Sequence, residues 1–136
     1  MAFLIDTNVL SELRKGSRCD AKVRSWASSA RHAQHSISVL SLGEIRKGIE
    51  LLRKKAPDQC PAFEKWLTAI ETRYAGNILP VTNEIADQWG TLQARQSMPV
   101  IDSLLAATAL VHQLTLVTRN TADFTASGAT LLNPFL

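Results

Sequence analysis

Four acids carry the chemical potential of this 136-residue chain: Asp6, Glu44, Asp102 and Asp123. Asp6 ends the apolar run Ala2-Phe3-Leu4-Ile5, which reads as a first strand. Asp123 lies in Thr118-Arg119-Asn120-Thr121-Ala122-Asp123-Phe124, just past a later strand candidate. In a parallel sheet, ligands gather beyond the carboxyl ends of the strands. Helices starting near Ser41 and Ile101 would bring Glu44 and Asp102 to the same rim. Four carboxylates there would raise one another's pKa unless a cation neutralises them. The donors are all oxygen and no His/Cys set favours zinc, so Mg²⁺ or Mn²⁺ is the natural cation. The chemistry best served is metal-assisted attack on a phosphodiester. Thr7, Asn8, Ser103, Thr118 and Asn120 stand beside the acids, placed to orient them.

Each acid also has a structural reading. Asp6 can cap the helix beginning near Asn8. Glu44, three residues after Ser41, has capping-box spacing. Asp102 falls in a first helical turn, where the macrodipole favours negative charge. Asp123 can stabilise a turn. The set carries the catalytic reading, not any one member.

The elements that must position these acids alternate. Strand candidates are Phe3–Asp6, His35–Ser38, Ile78–Val81, Leu116–Thr118 and Thr130–Leu132. Between them run stripes of 3.6-residue period: Leu42, Ile45, Ile49 and Leu52; Phe63, Leu67, Ile70 and Tyr74; Ile85, Trp89 and Leu92; Ile101, Leu104, Leu105, Thr108 and Val111. Thr82-Asn83 is set to cap the third. The stretch from Ser17 to Arg31 reads as a helix or pair of turns anchored by Trp26, and Ala56–Pro61 as a corner between two helices. This alternation predicts an α/β fold with a mainly parallel sheet covered on both faces.

The totals fit one domain over residues 1–136. No apolar run is long enough to span a membrane, and no basic leader precedes Phe3, so the expected compartment is the cytoplasm. Cys19 and Cys60 match neither a zinc pattern nor a redox pair. Residues 1–55 carry eleven basic against five acidic side chains, residues 56–136 four against seven. The basic half suits a polyanion, and Arg14, Lys15, Arg18, Arg46 and Lys47 are candidates for steering one. A solvated helix face explains most of them equally well.

Four segments, taken in order, carry a family resemblance: Asp-Thr-Asn-Val-Leu-Ser-Glu-Leu at 6–13, Ser-Val-Leu-Ser-Leu-Gly-Glu-Ile-Arg-Lys-Gly-Ile at 38–49, Asp-Ser-Leu-Leu-Ala-Ala-Thr-Ala at 102–109 and Leu-Val-Thr-Arg-Asn-Thr-Ala-Asp-Phe at 116–124. Together they resemble PIN-domain proteins of the VapC toxin and FitB-like branch. The resemblance implies an α/β/α sandwich on a mainly parallel sheet and a Mg²⁺- or Mn²⁺-dependent ribonuclease leaving a 5′-phosphate and a 3′-hydroxyl. It places the acidic quartet on Asp6, Glu44, Asp102 and Asp123, with Thr118 and Asn120 supporting. It also implies a homodimer, a small cognate antitoxin whose tail blocks the acidic pocket, and a larger assembly of the two. Two other readings stay open: a phosphatase or phosphotransferase with Asp6 as nucleophile, and a non-catalytic, antitoxin-bound regulatory module whose acids serve only as caps.

Overall fold

The structure, a computed structural model, describes all 136 residues. Five strands, β1 (Ala2–Ile5), β2 (Gln34–Ser38), β3 (Ile78–Leu79), β4 (Thr115–Val117) and β5 (Leu131–Leu132), form one sheet in the order β3-β2-β1-β4-β5. Every pairing is parallel; Phe3 lies opposite both His35 and Thr115, and Ile5 opposite Val117. Seven helices connect them: α1 (Thr7–Leu13), α2 (Ala21–Ser29), α3 (Val39–Lys55), α4 (Cys60–Arg73), α5 (Asn83–Arg95), α6 (Val100–His112) and α7 (Thr121–Phe124).

Strand alternation divides the interior. Phe3 and Ile5 point to one face, where they meet Val9 and Leu10 of α1, Val23 of α2 and Ile70 of α4. Leu4 and Leu116 point to the other, against Ile85 and Leu92 of α5, Leu105 of α6 and Phe124 of α7. A satellite cluster joins Ile45 and Ile49 of α3 to Cys60 and Leu67 of α4. Helices therefore cover both faces of a wholly parallel sheet, the expected α/β/α sandwich. Ala106, Ala107 and Ala109 are buried, and their small side chains let α6 lie close to its neighbours.

Three local expectations need correction. The helix carrying Glu44 begins at Val39, with Ser38 as its cap: the Ser38 hydroxyl accepts from the Leu40 N–H at 3.0 Å. Glu44 is thus too far along α3 to complete a capping box with Ser41. Ser41 is instead buried, and its hydroxyl has no hydrogen-bond partner. In the 17–31 stretch the fully buried anchor is Val23; Trp26 is half-buried, set edge-on to Phe3 with ring centroids 5.5 Å apart. Short 3₁₀ turns at Gly16–Arg18 and Pro57–Gln59 make the remaining corners.

The carboxyl end of β1 is where the topology switches. From β1 the chain proceeds outward to β2 and β3, then returns to place β4 and β5 on the opposite side. Neighbouring loops diverge at such a point and leave a crevice. The residue after β1 is Asp6, and the residue after β4 is Thr118.

Candidate active site

Asp6 sits at this switch point and is only 7% exposed. Its backbone N–H extends the β1–β4 ladder to the Val117 carbonyl at 3.0 Å, which fixes where the side chain emerges. Oδ1 accepts from the Thr7 N–H at 2.7 Å, capping α1. Oδ2 accepts from the Thr118 hydroxyl at 2.8 Å and the Asn8 side-chain amide at 3.3 Å. The structural and the chemical readings of Asp6 are thus compatible, since one oxygen caps a helix while the carboxylate lies in the crevice.

The neighbours form a closed hydrogen-bond web. Thr118, fully buried, accepts from the Asn8 amide at 3.2 Å and from the Asn120 N–H at 3.1 Å. Asn8 Oδ1 accepts from the Arg119 N–H at 3.2 Å, tying α1 to the loop after β4. The Thr7 hydroxyl donates to Glu44 Oε1 at 2.7 Å, so α1 also orients the acid of α3. Asn120 participates through its backbone; its side chain does not cap α7. Ser103 belongs elsewhere. Its buried hydroxyl accepts from Gln93 Nε2 at 2.6 Å and approaches the Pro99 and Val100 carbonyls, locking α5 to α6.

Asp102 is in the first turn of α6 and Asp123 in the first turn of α7. Burial raises the Asp6 carboxyl above its ordinary value; the Thr118 and Thr7 hydrogen bonds oppose that rise, and nearby Glu44 adds to it. Asp102 is also raised, first by desolvation and then by the like charges of Asp6 and Asp123. The four acids therefore form an electrostatic row, Glu44 to Asp6 to Asp102 to Asp123. None of the chain's ion pairs reaches it: all join Lys15, Arg46 or Arg53 to Glu12, Glu50 or Glu64.

No group of three or more His, Cys, Asp or Glu side chains is drawn in tightly enough to hold a metal ion outright. The row is looser than the ring of direct ligands expected from sequence. Repulsion among uncompensated carboxylates opposes closer approach, and both Asp6 oxygens already accept hydrogen bonds. The donor chemistry still fits a hard divalent cation. Magnesium in particular is commonly bound through one or two carboxylates and retains several waters.

The basic residues proposed for steering are largely engaged. Arg46 makes a bidentate pair with Glu64 at 2.8 and 2.9 Å and reaches Glu50 at 3.1 Å; Arg53 bridges the same two acids. Lys15 pairs with Glu12 at 3.0 Å, and the Arg14 guanidinium lies 4.0 Å from the Phe63 ring centroid. Glu12 had no assigned role in the sequence reading. Its second oxygen accepts from the Asp20 N–H at 2.9 Å and ties the end of α1 to the start of α2.

Comparison with known proteins matches the PIN-domain family model to residues 3–126. The chain belongs to the PIN-domain family. This PIN domain is 28% identical over 137 residues to the toxin FitB of Neisseria gonorrhoeae, covering 97% of each chain. It is 30% identical over 138 residues to the VapC ribonuclease Y4jK of Sinorhizobium fredii, covering 97% of this chain and 96% of that one. Among solved structures it superposes on FitAcB from Neisseria gonorrhoeae with a TM-score of 0.83, at 28% identity and 98% coverage of both chains.

Proposed function

We propose that this PIN domain is the toxin of a toxin–antitoxin system and acts as a Mg²⁺- or Mn²⁺-dependent ribonuclease in the cytoplasm. The observation that carries the reading is the row of four carboxylates at the switch point, in which Asp6 feels the charge of Glu44, and Asp102 those of Asp6 and Asp123, with no ion pair to balance it. The toxin and ribonuclease relatives, each matching almost the whole chain, support it.

Asp6, Asp102 and Asp123 would hold the cation, directly or through water, with Glu44 at the edge. A divalent cation at such a site neutralises phosphate charge and acidifies a water nucleophile at neutral pH. The chain's own share is positional. Thr118, Asn8 and the Thr7 N–H fix both oxygens of Asp6. Thr7 holds one Glu44 oxygen, leaving Oε2 to take a proton from attacking water. The RNA 2′-hydroxyl has no part in this scheme, and resemblance to the family implies products with 5′-phosphate and 3′-hydroxyl ends. The phosphotransferase reading is disfavoured because Asn8, not a second acid, stands two residues after Asp6, and the six glycines are dispersed with no phosphate-cradling loop among them.

The partners in this reading are a small antitoxin, which blocks the acidic pocket, and a second copy of the chain. Val39, Leu51 and Val100 are 41%, 53% and 56% exposed, and Val39 and Leu51 border a cleft of about 640 Å³ between α3 and Ile101 of α6. That apolar surface is available for the dimer. No helix is long and apolar enough to cross a membrane.

The test is cleavage of single-stranded RNA by the purified, antitoxin-free chain in Mg²⁺, in Mn²⁺ and in chelator. Asp102→Asn should remain folded and lose most activity. Cleavage that continues undiminished in chelator, or in that variant, would contradict the proposal.

A further inference from the structure

Arg119 is the arginine whose place in the chain is tied to the acid row. It follows Thr118, whose hydroxyl donates to Asp6 Oδ2, and its own N–H donates to Asn8 Oδ1 at 3.2 Å. Asn8 in turn reaches Asp6 Oδ2 through its side-chain amide. Just downstream, Asp123 stands in the first turn of α7. The backbone thus passes from the partner of one acid to the helix that bears another, with Arg119 on the way. The other arginines without a carboxylate partner adjoin no residue that is hydrogen-bonded to an acid of the row.

A cation on the same rim as four carboxylates would ordinarily pair with one of them. Arg119 does not. Its side chain is exposed, its guanidinium enters no ion pair, and that group lies 4.7 Å from the centroid of the Phe135 ring. One side chain builds this arrangement. Asn133 Nδ2 donates to the Arg119 carbonyl at 3.1 Å, and Asn133 Oδ1 accepts from the Phe135 N–H at 2.9 Å. The backbone under the arginine and the backbone under the ring are therefore fixed by the same residue. Phe135 is itself half-buried against the core that holds Phe3 and Ile5. Cation–π attraction restrains the guanidinium away from the acids and leaves its N–H groups free to donate. A planar fork of donors matches the oxygens of a phosphodiester. Because the guanidinium stands off the acids, the phosphate it meets is a neighbour of the one they would attack.

We propose that Arg119, seated on Phe135, binds the RNA phosphate next to the scissile one and so sets the register of the strand across the acid row. The assignment rests on the ribonuclease reading for its reaction, but its binding test needs no cleavage.

The test uses the full chain in chelator, so that nothing is cut, and a short single-stranded oligoribonucleotide of mixed sequence followed by fluorescence anisotropy. Arg119→Gln should lower the slope of log affinity against log salt by about 0.7, the share of one phosphate contact on a single strand. Arg119→Lys keeps the charge and should restore most of that slope. Phe135→Leu should weaken affinity although no charge is lost. Lys55→Gln removes the same charge at the far end of α3 and should bind as the parent does. With Mg²⁺ restored, Arg119→Gln should raise KM roughly tenfold and leave kcat little changed, as a contact made equally before and during reaction does. Its Mn²⁺ binding should equal the parent's, because the guanidinium pairs with none of the acids. A parental salt slope in Arg119→Gln, an equal loss in Lys55→Gln, or no RNA binding by the parent would overturn the assignment. So would a fall in kcat at unchanged KM, which would move Arg119 to the scissile phosphate. Loss of Mn²⁺ binding in Arg119→Gln would make the residue a prop of the acid row and overturn it too. A parent that binds RNA with the expected dependence on Arg119, yet cuts none in Mg²⁺ or Mn²⁺, would count against the ribonuclease reading alone.

Discussion

Thr118 shows how much of the site depends on one buried hydroxyl. It donates to Asp6 Oδ2 and accepts from Asn8 and the Asn120 N–H. Thr118→Val keeps the shape but leaves two donors and a carboxylate short of a partner. The variant should lose about 1–3 kcal/mol of stability in denaturant melts, and RNA cleavage should fall with it. Asp102 gives the opposite sign. Its carboxyl is raised by desolvation and by the charges of Asp6 and Asp123, so its ionised form opposes folding. In chelator, the contribution of Asp102 to stability, read as the difference between the parent and Asp102→Asn, should fall as pH rises from the ordinary carboxylate range through the raised value of Asp102. Asp102→Asn lacks that contribution and should melt at a higher temperature than the parent at neutral pH, by at most about 1 kcal/mol after solvent screening. Unchanged pH profiles for parent and variant would disprove the coupling. The residue types were legible in sequence because each acid adjoins a strand end or a helix start. The pairing of Thr7 with Glu44 was not, since it depends on how α1 lies against α3, and that follows from packing rather than spacing.

Elements respond to the ends and faces that hold them. α6 ends at Gln113 in a left-handed conformation, φ 54°, which costs a residue with a Cβ about 1 kcal/mol relative to glycine. Gln113→Gly should therefore stabilise the fold by about that amount in thermal melts, without changing cleavage. α3 and α4 are clamped by Arg46, Arg53, Glu50 and Glu64 on an exposed face. The two guanidiniums hold the Glu64 carboxyl down at about 2, Arg46 first. Its contribution is present above the ordinary glutamate range and is lost as pH falls toward 2. Glu64→Gln should lower the melting temperature modestly at neutral pH and low salt, and the difference should vanish in high salt. Sequence periodicity located these helices because Ile45, Ile49, Leu67 and Ile70 repeat at helical spacing. It could not foresee that Arg46 and Arg53 would both be taken up by Glu64 of another helix. That pairing removes Arg46 from the set of RNA-steering candidates.

At the scale of the molecule, the parallel sheet creates the site by reversing its strand order beside β1. The order β3-β2-β1-β4-β5 was only partly legible: alternating strands and helices imply parallel pairing, but which strand borders β1 is decided by packing on both faces. A dimer through the exposed face of α3 makes a separate prediction. Leu51→Glu should shift sedimentation toward the monomer at micromolar concentration while leaving far-ultraviolet circular dichroism unchanged. A parent that sediments as a monomer would remove the dimer from the account. The central claim is that the acid row lacks a counter-charge from the chain and takes one from solution. It is tested most directly by isothermal titration of the antitoxin-free protein with Mn²⁺, beside Asp6→Asn. The account predicts saturable binding to the parent, accompanied by a rise in melting temperature, with both effects lost in the variant. Equal binding by the two proteins, or no binding by the parent, would contradict it.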